Sequence, residues 1–327
     1  MGEIFEALPG IEVPVDCVSK GMDQMWSGAA ADGKPCPPTD DAKAIQVNFV
    51  LHLGLRTEAS DAVKQFETAV RFSRSYPCRV VVLCPLREFR EGAEMRAKVY
   101  GECTVGKSKD DTRCCEFVML SYPQSARTYL ENQVSVCLST DLPLYYWAHR
   151  FSESVKLADY RYLLTAAKRV LIDSATAPAD ALGYPWPNPE NLRDLAYARL
   201  LPVRQTIGQF LSRYPVRVLS EGLRSVTMAH GAEVAAEARV LAAWAAERLS
   251  GCGGNGEAVQ VGPYAGLRPK AFSLAFAYDD SRYFSWRADL ATARATLDAD
   301  FGSGRTSIPA AVSLLPEEKA LSEAMFF

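Results

Sequence analysis

The sequence predicts an α/β protein: a mixed, partly parallel sheet flanked by helices in an N-terminal domain, then a second α+β domain with antiparallel strands. Three observations support this prediction. Apolar runs of strand length alternate with segments of helical periodicity from residue 44 to residue 177. A proline-rich stretch, 174–191, interrupts the alternation. Two apolar runs near the C-terminus flank the turn sequence Asp279-Asp280-Ser281, which is typical of paired antiparallel strands.

The length of the chain indicates more than one domain. Its 327 residues are about twice the typical domain size of about 150 residues. We expect an N-terminal arm over 1–43, an α/β domain over 44–177 and an α+β domain over 178–327. Closely spaced prolines and glycines interrupt the arm, so only one short helix, near 22–26, is predicted there.

The α/β domain begins with two predicted strands and a helix between them. Residues 44–55 alternate apolar and polar side chains, which predicts a half-buried strand. Residues 57–75 have apolar side chains at helical spacing, open with capping residues and stop before Pro77, which predicts a helix. The continuous run CRVVVLC at 78–84 predicts a strand at the centre of a sheet, covered on both faces.

The same patterns predict the remaining elements. In the α/β domain they are a hairpin of strands 95–105 and 113–122, helix 125–138, strand 142–149, helix 156–167 and strand 168–173. After the proline-rich loop they are helices within 193–214, strands 216–221 and 225–229, helix 232–249, paired strands 272–279 and 282–288, and a terminal helix over 316–327.

Charge and cysteine content narrow the class of protein. Lys and Arg number 36 against 39 Asp and Glu, so a net charge of -3 gives no field that would attract nucleic acid or an anionic membrane. The N-terminus is acidic where a signal peptide is basic, and no run approaches the roughly 18 apolar residues of a membrane span. We therefore expect a cytoplasmic protein with neither nucleic acid nor membrane as partner. Its nine cysteines form no CxxC pair and are expected to be mostly reduced thiols.

One segment matches a nucleotide-binding pattern. Residues Gly101–Ser108, GECTVGKS, satisfy GxxxxGK[ST], and VLID at 170–173 resembles the strand whose Asp binds Mg²⁺. A working phosphate loop needs a strand before its first glycine and a helix at its lysine. Here Gly101 lies inside a strand pattern and an acidic, β-rich run follows Lys107, so a hairpin turn is favoured. An NTPase or phosphate-ligand enzyme remains an alternative.

Other catalytic patterns are missing from the sequence. There is no GxSxG elbow, no GxGxxG fingerprint and no close Cys/His ligand spacing, and the three histidines are isolated along the chain. We therefore predict no catalytic residue, no metal and no cofactor. Cys114 and Cys115 point to opposite faces of a strand, so we favour one buried and one exposed thiol over a redox pair.

Two aromatic clusters are candidate binding features. Tyr145, Tyr146 and Trp147, followed by His149 and Arg150, lie at the carboxyl end of a predicted strand, where open α/β sheets bind ligands. Core packing is an equally good interpretation of Tyr145 and Trp147. Tyr184 and Trp186 in the proline-rich loop are of the residue types enriched at protein interfaces.

The run ENQVSVCLSTDLPLYYWAHR at 131–150 resembles the central signature of the glucose-6-phosphate dehydrogenase assembly protein family, known as OpcA. Asp141, Leu142, Pro143 and Trp147 match that signature. Further motifs resemble the family in the same order over roughly 44–249: PCRVVVLCP at 77–85, the DSA segment at 173–175, NLRDLAYARLLPVRQTIGQFL at 191–211 and the helix containing Leu241, Trp244 and Leu249.

The resemblance implies a non-enzymatic assembly factor that binds glucose-6-phosphate dehydrogenase and activates it allosterically in the oxidative pentose phosphate pathway. In photosynthetic relatives this effect is redox-linked, which makes the thiols relevant. A sugar-phosphate sensor without a protein partner is a further alternative. We expect the dehydrogenase to contact aromatic and arginine anchors: Trp147, Arg150, Tyr184, Trp186, Arg199 and Arg204. Asp141, Pro143 and Asp173 are expected to shape strand ends.

Overall fold

A computed structural model describes residues 4–37, 45–87, 92–105, 112–254 and 259–327. The chain forms two compact units, Met1–Leu195 with Glu317–Phe327, and Ala196–Pro316. The first contains an eight-stranded mixed sheet with helices, and the second a six-stranded, mostly antiparallel sheet with helices. The predicted fold class is therefore confirmed. Of the helices in the described ranges, none has the length and hydropathy required to cross a bilayer.

The described helices are α1 (Ile4–Ala7), α2 (Val18–Ala31), α3 (Ala59–Ser75), α4 (Leu130–Cys137), α5 (Ser154–Ala158), α6 (Arg161–Ala166), α7 (Leu195–Arg199), α8 (Leu201–Leu211), α9 (Val216–Ser220), α10 (Ala235–Gly251) and α11 (Glu317–Phe326). The described strands are β1 (Ile11–Val13), β2 (Val47–Leu53), β3 (Cys78–Pro85), β4 (Arg96–Val105), β5 (Thr112–Tyr122), β6 (Leu144–His149), β7 (Arg169–Ile172), β8 (Leu192–Asp194), β9 (Leu223–His230), β10 (Val259–Pro263), β11 (Ala271–Tyr278), β12 (Tyr283–Asp289), β13 (Arg294–Asp300) and β14 (Thr306–Ala311).

The sheet of the first unit is a doubly wound sheet with an antiparallel edge. Its strand order is β1-β4-β5-β3-β2-β6-β7-β8. The strands from β5 to β8 in this order pair in parallel, whereas β4 pairs antiparallel with both β1 and β5. The chain runs from β2 to β3 on one side and later returns to the other side of β2 as β6. The strand order therefore reverses between β2 and β6.

Strand β2 is buried on both faces, so the half-buried strand predicted from its alternating pattern is wrong. Its polar positions are hydrogen-bonded inside the protein instead of facing water. Asn48 Nδ2 donates to the carbonyl oxygens of Ser139 (2.6 Å) and Leu142 (3.2 Å), and Asn48 Oδ1 accepts from the Ser139 amide. His52 Nδ1 lies 2.6 Å from the Tyr146 hydroxyl. The alternating pattern of β2 is thus compatible with full burial, because its polar side chains bond to residues about 90 positions away along the chain.

The N-terminal region is more ordered than an arm with one short helix. Helix α2 is longer than the predicted 22–26, and β1 extends the sheet by pairing with β4. The indole of Trp26 on α2 is buried and donates to Glu116 Oε1 at 2.9 Å. The predicted boundary of the arm, at 43, lies outside the described residues.

Two corrections concern the first unit after β6. The helix predicted over 156–167 is divided into α5 and α6, because Tyr160 leaves the helical conformation and its hydroxyl meets that of Tyr122 at 2.7 Å. The helix predicted to begin at 193 is preceded by β8, whose Leu192 pairs with Val170 of β7.

The second unit has the strand order β10-β9-β11-β12-β13-β14, in which only the pair of β9 and β10 is parallel. The paired strands predicted near 272–288 are confirmed as β11 and β12. The strand predicted over 216–221 is wrong, since this segment is helix α9. Arg282 stabilises its C-terminal end by donating to the carbonyl oxygens of Val218 and Glu221. Strands β10, β13 and β14 were not predicted.

The compact units divide at Leu195, whereas the sequence predicts a boundary at 177. Compactness within one chain does not test whether a segment folds alone, so the division into domains stays a prediction.

Gly101 permits the close approach of α2 to the sheet. A Cβ atom at this position would lie 2.5 Å from the Trp26 ring and would also overlap Met25. We expect Gly101→Ala to lower the free energy of unfolding by about 1–3 kcal/mol through overpacking. The change can be measured by urea unfolding.

The matched control is Gly28→Ala on the exposed side of α2, where an added Cβ meets no atom within 4 Å. Removing a glycine from a helix should raise stability there by about 0.5–1 kcal/mol. Equal effects of the two substitutions would contradict the packing argument.

Candidate functional site at the carboxyl ends of β2 and β6

The carboxyl ends of β2 and β6 lie side by side, with Leu53 paired to His149. Ligands of open α/β sheets bind where the strand order reverses, outside the carboxyl ends of the strands. The loops that follow both strands are joined by backbone hydrogen bonds, from Gly54 N to His149 O (2.7 Å) and from Arg56 N to Arg150 O (3.3 Å). This edge of the sheet is therefore our candidate functional site.

The two loops approach so closely that one position requires glycine. A Cβ atom at Gly54 would lie 2.5 Å from the Arg150 carbonyl oxygen and 2.6 Å from the Phe151 backbone. Arg150 itself has a φ of 48°, in the left-handed region that costs energy for a side chain of this kind. The turn after β6 is thus held in an unusual conformation by its neighbour.

Asp61 in the first turn of α3 fixes the charged groups of this edge. Its Oδ2 accepts from His149 Nε2 at 2.8 Å and lies 2.6 Å from Arg150 Nε in an ion pair. Its Oδ1 accepts from Gln65 Nε2 at 3.0 Å. Burial alone would raise the pKa of Asp61, but the hydrogen bonds from His149 and Gln65 and the charge of Arg150 hold it well below its ordinary value. Asp61 is therefore ionised at neutral pH.

Four polar atoms near this edge are buried without a hydrogen-bond partner among the described residues. They are Thr57 Oγ1, Trp147 Nε1, His149 Nδ1 and Arg150 Nε, the last of which is ion-paired with Asp61. A buried polar atom without a partner costs about 1–3 kcal/mol, so such atoms cluster at functional positions more often than elsewhere. Together they can donate to and accept from a small polar group. No cluster of His, Cys, Asp and Glu suited to a metal ion occurs within the described ranges.

A cleft also lies at this edge. It has a volume of about 440 Å³, counting the space open to solvent. Its lining includes His52, Tyr160, Phe151 and two cations, Arg127 and Lys156. The cations pair with Asp159 (2.9 Å) and Glu153 (2.7 Å), respectively. The cleft is thus bordered by ion pairs, with an aromatic and imidazole floor.

The floor of the cleft is a neutral hydrogen-bonded network. His52 Nε2 lies 3.2 Å from the Tyr122 hydroxyl, which lies 2.7 Å from that of Tyr160. Burial lowers the pKa of His52 to about 3 and raises the pKa of Tyr122 well above its ordinary value. Neither group therefore carries a charge at neutral pH.

The structure places four of the six predicted anchors in the first unit. Trp147 is only 3% exposed and stacks on Phe49, with ring centroids 6.3 Å apart. Trp186 is 6% exposed and donates to the Ala181 carbonyl oxygen. Tyr184 is half-buried against Trp186, and the side chain of Arg150 is 41% exposed. Of these four, Arg150 and Tyr184 are accessible, and partner binding by all four stays a prediction.

The other two predicted anchors lie in the second unit, and both have partners. Arg199 Nε donates to Glu237 Oε1 at 2.8 Å. The guanidinium of Arg204 lies 3.7 Å from the centre of the Tyr197 ring, a cation–π contact. Their role in partner binding is likewise untested.

The residues expected to shape strand ends lie beside β6 and β7. Asp141 and Pro143 are exposed just before β6, and the Pro143 carbonyl oxygen accepts from the Asn48 amide at 3.0 Å. Asp173 follows β7 and its Oδ1 accepts from the Ala175 amide at 3.0 Å. Asp61 is one of the capping and first-turn residues with which the pattern of 57–75 opens, and Gly54 belongs to no motif of the sequence. The sequence around Asp61 and Gly54 does not indicate their roles, because the residues that they contact lie about 90 residues away along the chain.

The nucleotide-binding pattern lies in an antiparallel hairpin. Its first five residues belong to β4, and the next described element is β5, paired with β4 from Val105↔Thr112 onward. A phosphate loop would need a helix there. Gly101 admits the Trp26 ring, as described above. Gly106, Lys107 and Ser108 lie outside the described residues.

The same hairpin carries a disulfide. Cys103 and Cys114 are directly opposite each other in the register of β4 and β5, with Cα atoms 4.0 Å apart, and are bonded. The adjacent Cys115 is buried as expected, but the expectation of an exposed thiol at Cys114 is wrong, because Cys114 is half-buried and disulfide-bonded. Burial raises the pKa of the Cys115 thiol to about 11 and that of Cys84 to about 12, so neither is a reactive thiolate.

Comparison with known proteins finds a family that is similar to part of this chain, from within α3 to the proline-rich loop. Residues 69–184 match the family described as glucose-6-phosphate dehydrogenase subunit N-terminal domain, OpcA. Over this segment the chain is similar to the OpcA family. A curated protein of Synechocystis named "Putative OxPP cycle protein OpcA" is 24% identical over 181 residues. That match covers 54% of this chain and 38% of the relative, so the chain spans well under two thirds of the relative's length.

The matched OpcA segment contains β6, its signature residues and the proline-rich loop as far as Tyr184. The resemblance stated from the sequence is confirmed. A solved 3-ketoreductase from Actinomadura kijaniata superposes over 85% of this chain and 88% of its own, with a TM-score of 0.38 and 9% identity. This likeness is too weak to carry an argument.

The pairing of Asp61 makes a prediction about pH. Because the pKa of Asp61 is lower in the folded chain than its unfolded value of about 3.9, its carboxylate stabilises the fold above that pH. We expect Asp61→Asn to lower the free energy of unfolding at pH 7 by about 1–2 kcal/mol. The reason is that Arg150 loses its ion-pair partner and His149 loses a charged hydrogen-bond partner. The difference from wild type should shrink as the pH falls below about 4.

Urea unfolding at several pH values measures this effect. The exposed Asp23→Asn on α2 is the matched control and should change stability by less than about 0.5 kcal/mol. A pH-independent effect of Asp61→Asn would show that the loss is steric and not electrostatic.

Proposed function

We propose that this chain is an assembly factor for glucose-6-phosphate dehydrogenase in the oxidative pentose phosphate pathway. The observation that carries the proposal is the match of residues 69–184 to the OpcA family. The name of the Synechocystis relative, an OxPP cycle protein, supports the same pathway. The match includes β6 and the turn after it, with His149 and Arg150, and begins after β2 and Asp61.

The chain acts on the dehydrogenase as an allosteric activator and performs no catalytic step of its own. An activator shifts its target only as far as it binds the active state more tightly than the inactive one, about 1.4 kcal/mol for each tenfold shift. The surface that contacts the dehydrogenase must therefore bind its active state with a more favourable free energy than its inactive state. The contacts of Asp61 with His149 and Arg150 hold the loop after β6 in place beside the loop after β2. A fixed loop conformation favours docking of a partner.

Within the predicted anchors, Arg150 and Tyr184 contact the dehydrogenase directly. Both are accessible, and arginine and tyrosine are enriched where interface energy concentrates. Trp147 and Trp186 contribute by packing beneath them, Trp147 at the end of the same strand and Trp186 against Tyr184 with ring centroids 4.5 Å apart. Arg199 and Arg204 are further contacts, in the second unit.

Titration of glucose-6-phosphate dehydrogenase from the same source with this protein tests the proposal. We expect saturable activation near a stoichiometric ratio and a complex on a sizing column. Arg150→Asn should weaken the apparent affinity at least tenfold, or about 1.4 kcal/mol. Asparagine is chosen because it tolerates the left-handed backbone of Arg150.

Arg161→Ala on α6 is the control for lost charge, because Arg161 is also exposed. It should leave activation unchanged. The proposed function would be contradicted if wild-type protein left the dehydrogenase activity unaltered and formed no complex on the sizing column.

The activation is also redox-sensitive in our proposal, through the hairpin of β4 and β5. The pair Cys103 and Cys114 supports this, since adjacent positions on paired strands allow the bond to open and close without refolding. Reduction by a dithiol adds two electrons and two protons to the disulfide and leaves two thiols.

We expect dithiothreitol to change the apparent affinity of wild type for the dehydrogenase and to have no effect on Cys103→Ser. The exposed, unbonded Cys252 provides the control, and Cys252→Ser should respond as wild type does. If dithiothreitol still changes the affinity of Cys103→Ser, the redox sensitivity does not come from the disulfide between Cys103 and Cys114.

A further inference from the structure

The second unit contains an apolar cavity between α8, α9 and α10. Its volume is about 1040 Å³, counting the space open to solvent. Leu274 and Phe276 of β11 lie at its base and are buried. The walls are formed by side chains of the three helices: Ile207, Leu211, Leu219, Trp244, Ala245 and Leu249. The sheet and the helices thus line a mainly apolar space that is open to solvent on one side.

Few polar groups line the cavity, and the two serine hydroxyls among them are already bonded. Ser212 Oγ donates to the Gln209 carbonyl oxygen and Ser220 Oγ to that of Val216, both at 3.0 Å. Arg248 is exposed at the rim, and no carboxylate of the described residues forms an ion pair with it. Within the described part of the chain, the cavity therefore combines apolar walls with one cation, Arg248, that forms no ion pair.

Gly208 leaves this space open. It lies inside α8 and lines the cavity, and a Cβ added there would meet no atom within 4 Å. Glycine inside a helix costs about 0.5–1 kcal/mol relative to alanine. The helix is thus less stable than it would be with a side chain that partly filled the cavity.

We infer that the cavity binds an amphiphile with an apolar chain and a carboxylate head. The chain packs against Leu274, Phe276 and Trp244, where removing apolar surface from water contributes about 25 cal/mol per Å². The head pairs with Arg248, whose guanidinium matches a carboxylate with two parallel hydrogen bonds. Ligand sites of proteins have this character, apolar walls with few polar groups and volumes of about 300–1,000 Å³. This binding function is independent of the proposed role in assembly.

Titration of the full chain with decanoate by calorimetry tests the inference, with decanol as the uncharged probe. We expect saturable binding of one decanoate per chain. Arg248→Gln should weaken decanoate binding at least tenfold and leave decanol binding unchanged. Arg239→Gln, an exposed arginine on the same helix, is the matched control and should bind both as wild type does.

A second variant tests the cavity itself. Gly208→Leu places a side chain in the open space and should abolish binding of both probes, while Gly208→Ala preserves the fold and weakens binding less. Ligand protection of the Cys252 thiol, which lines the cavity, gives an independent readout through its labelling rate.

The inference is overturned if decanoate binds wild type no more tightly than about 1 mM, or if Gly208→Leu binds it unchanged. It is also overturned if Gly208→Leu alters the sedimentation of the chain and decanoate does not bind, because the cavity would then be a contact between copies.

Discussion

Burial of β2 on both faces is the constraint on which the first unit depends. A central strand leaves no water for its polar side chains, so Asn48 and His52 must find partners inside the protein. Asn48 finds them in the backbone of Ser139 and Leu142, immediately before β6. The hydrogen bonds of the Asn48 side-chain amide thereby hold the segment before β6 next to β2. The strand order of the sheet reverses between these two strands.

The OpcA signature is, in physical terms, the sequence that enters and completes β6. Its proline precedes the strand, its Trp147 packs beneath the edge, and His149 ends the strand against Asp61. The ionised Asp61 then holds His149 and Arg150 at the turn. The turn after β6 is thus fixed by a residue that lies before the matched family segment.

The two compact units offer different chemistry. The first presents ion pairs and a neutral imidazole–phenol network around a polar cleft. The second presents an apolar cavity with Arg248 at its rim. The proposed partner surface belongs to the first unit. The apolar cavity suits a small ligand, through which a cell could adjust the protein independently of its partner.

The sequence by itself determined the local elements whose patterns are strong: the buried run of β3, the helix α3, the hairpin of β4 and β5, and the order of motifs that identifies the family. The tertiary structure decided what local patterns cannot encode. Burial of β2, the helical state of α9 and the cluster at Asp61 depend on partners such as Ser139, Arg282 and His149. These partners lie roughly 60 to 90 residues away, where periodicity carries no information.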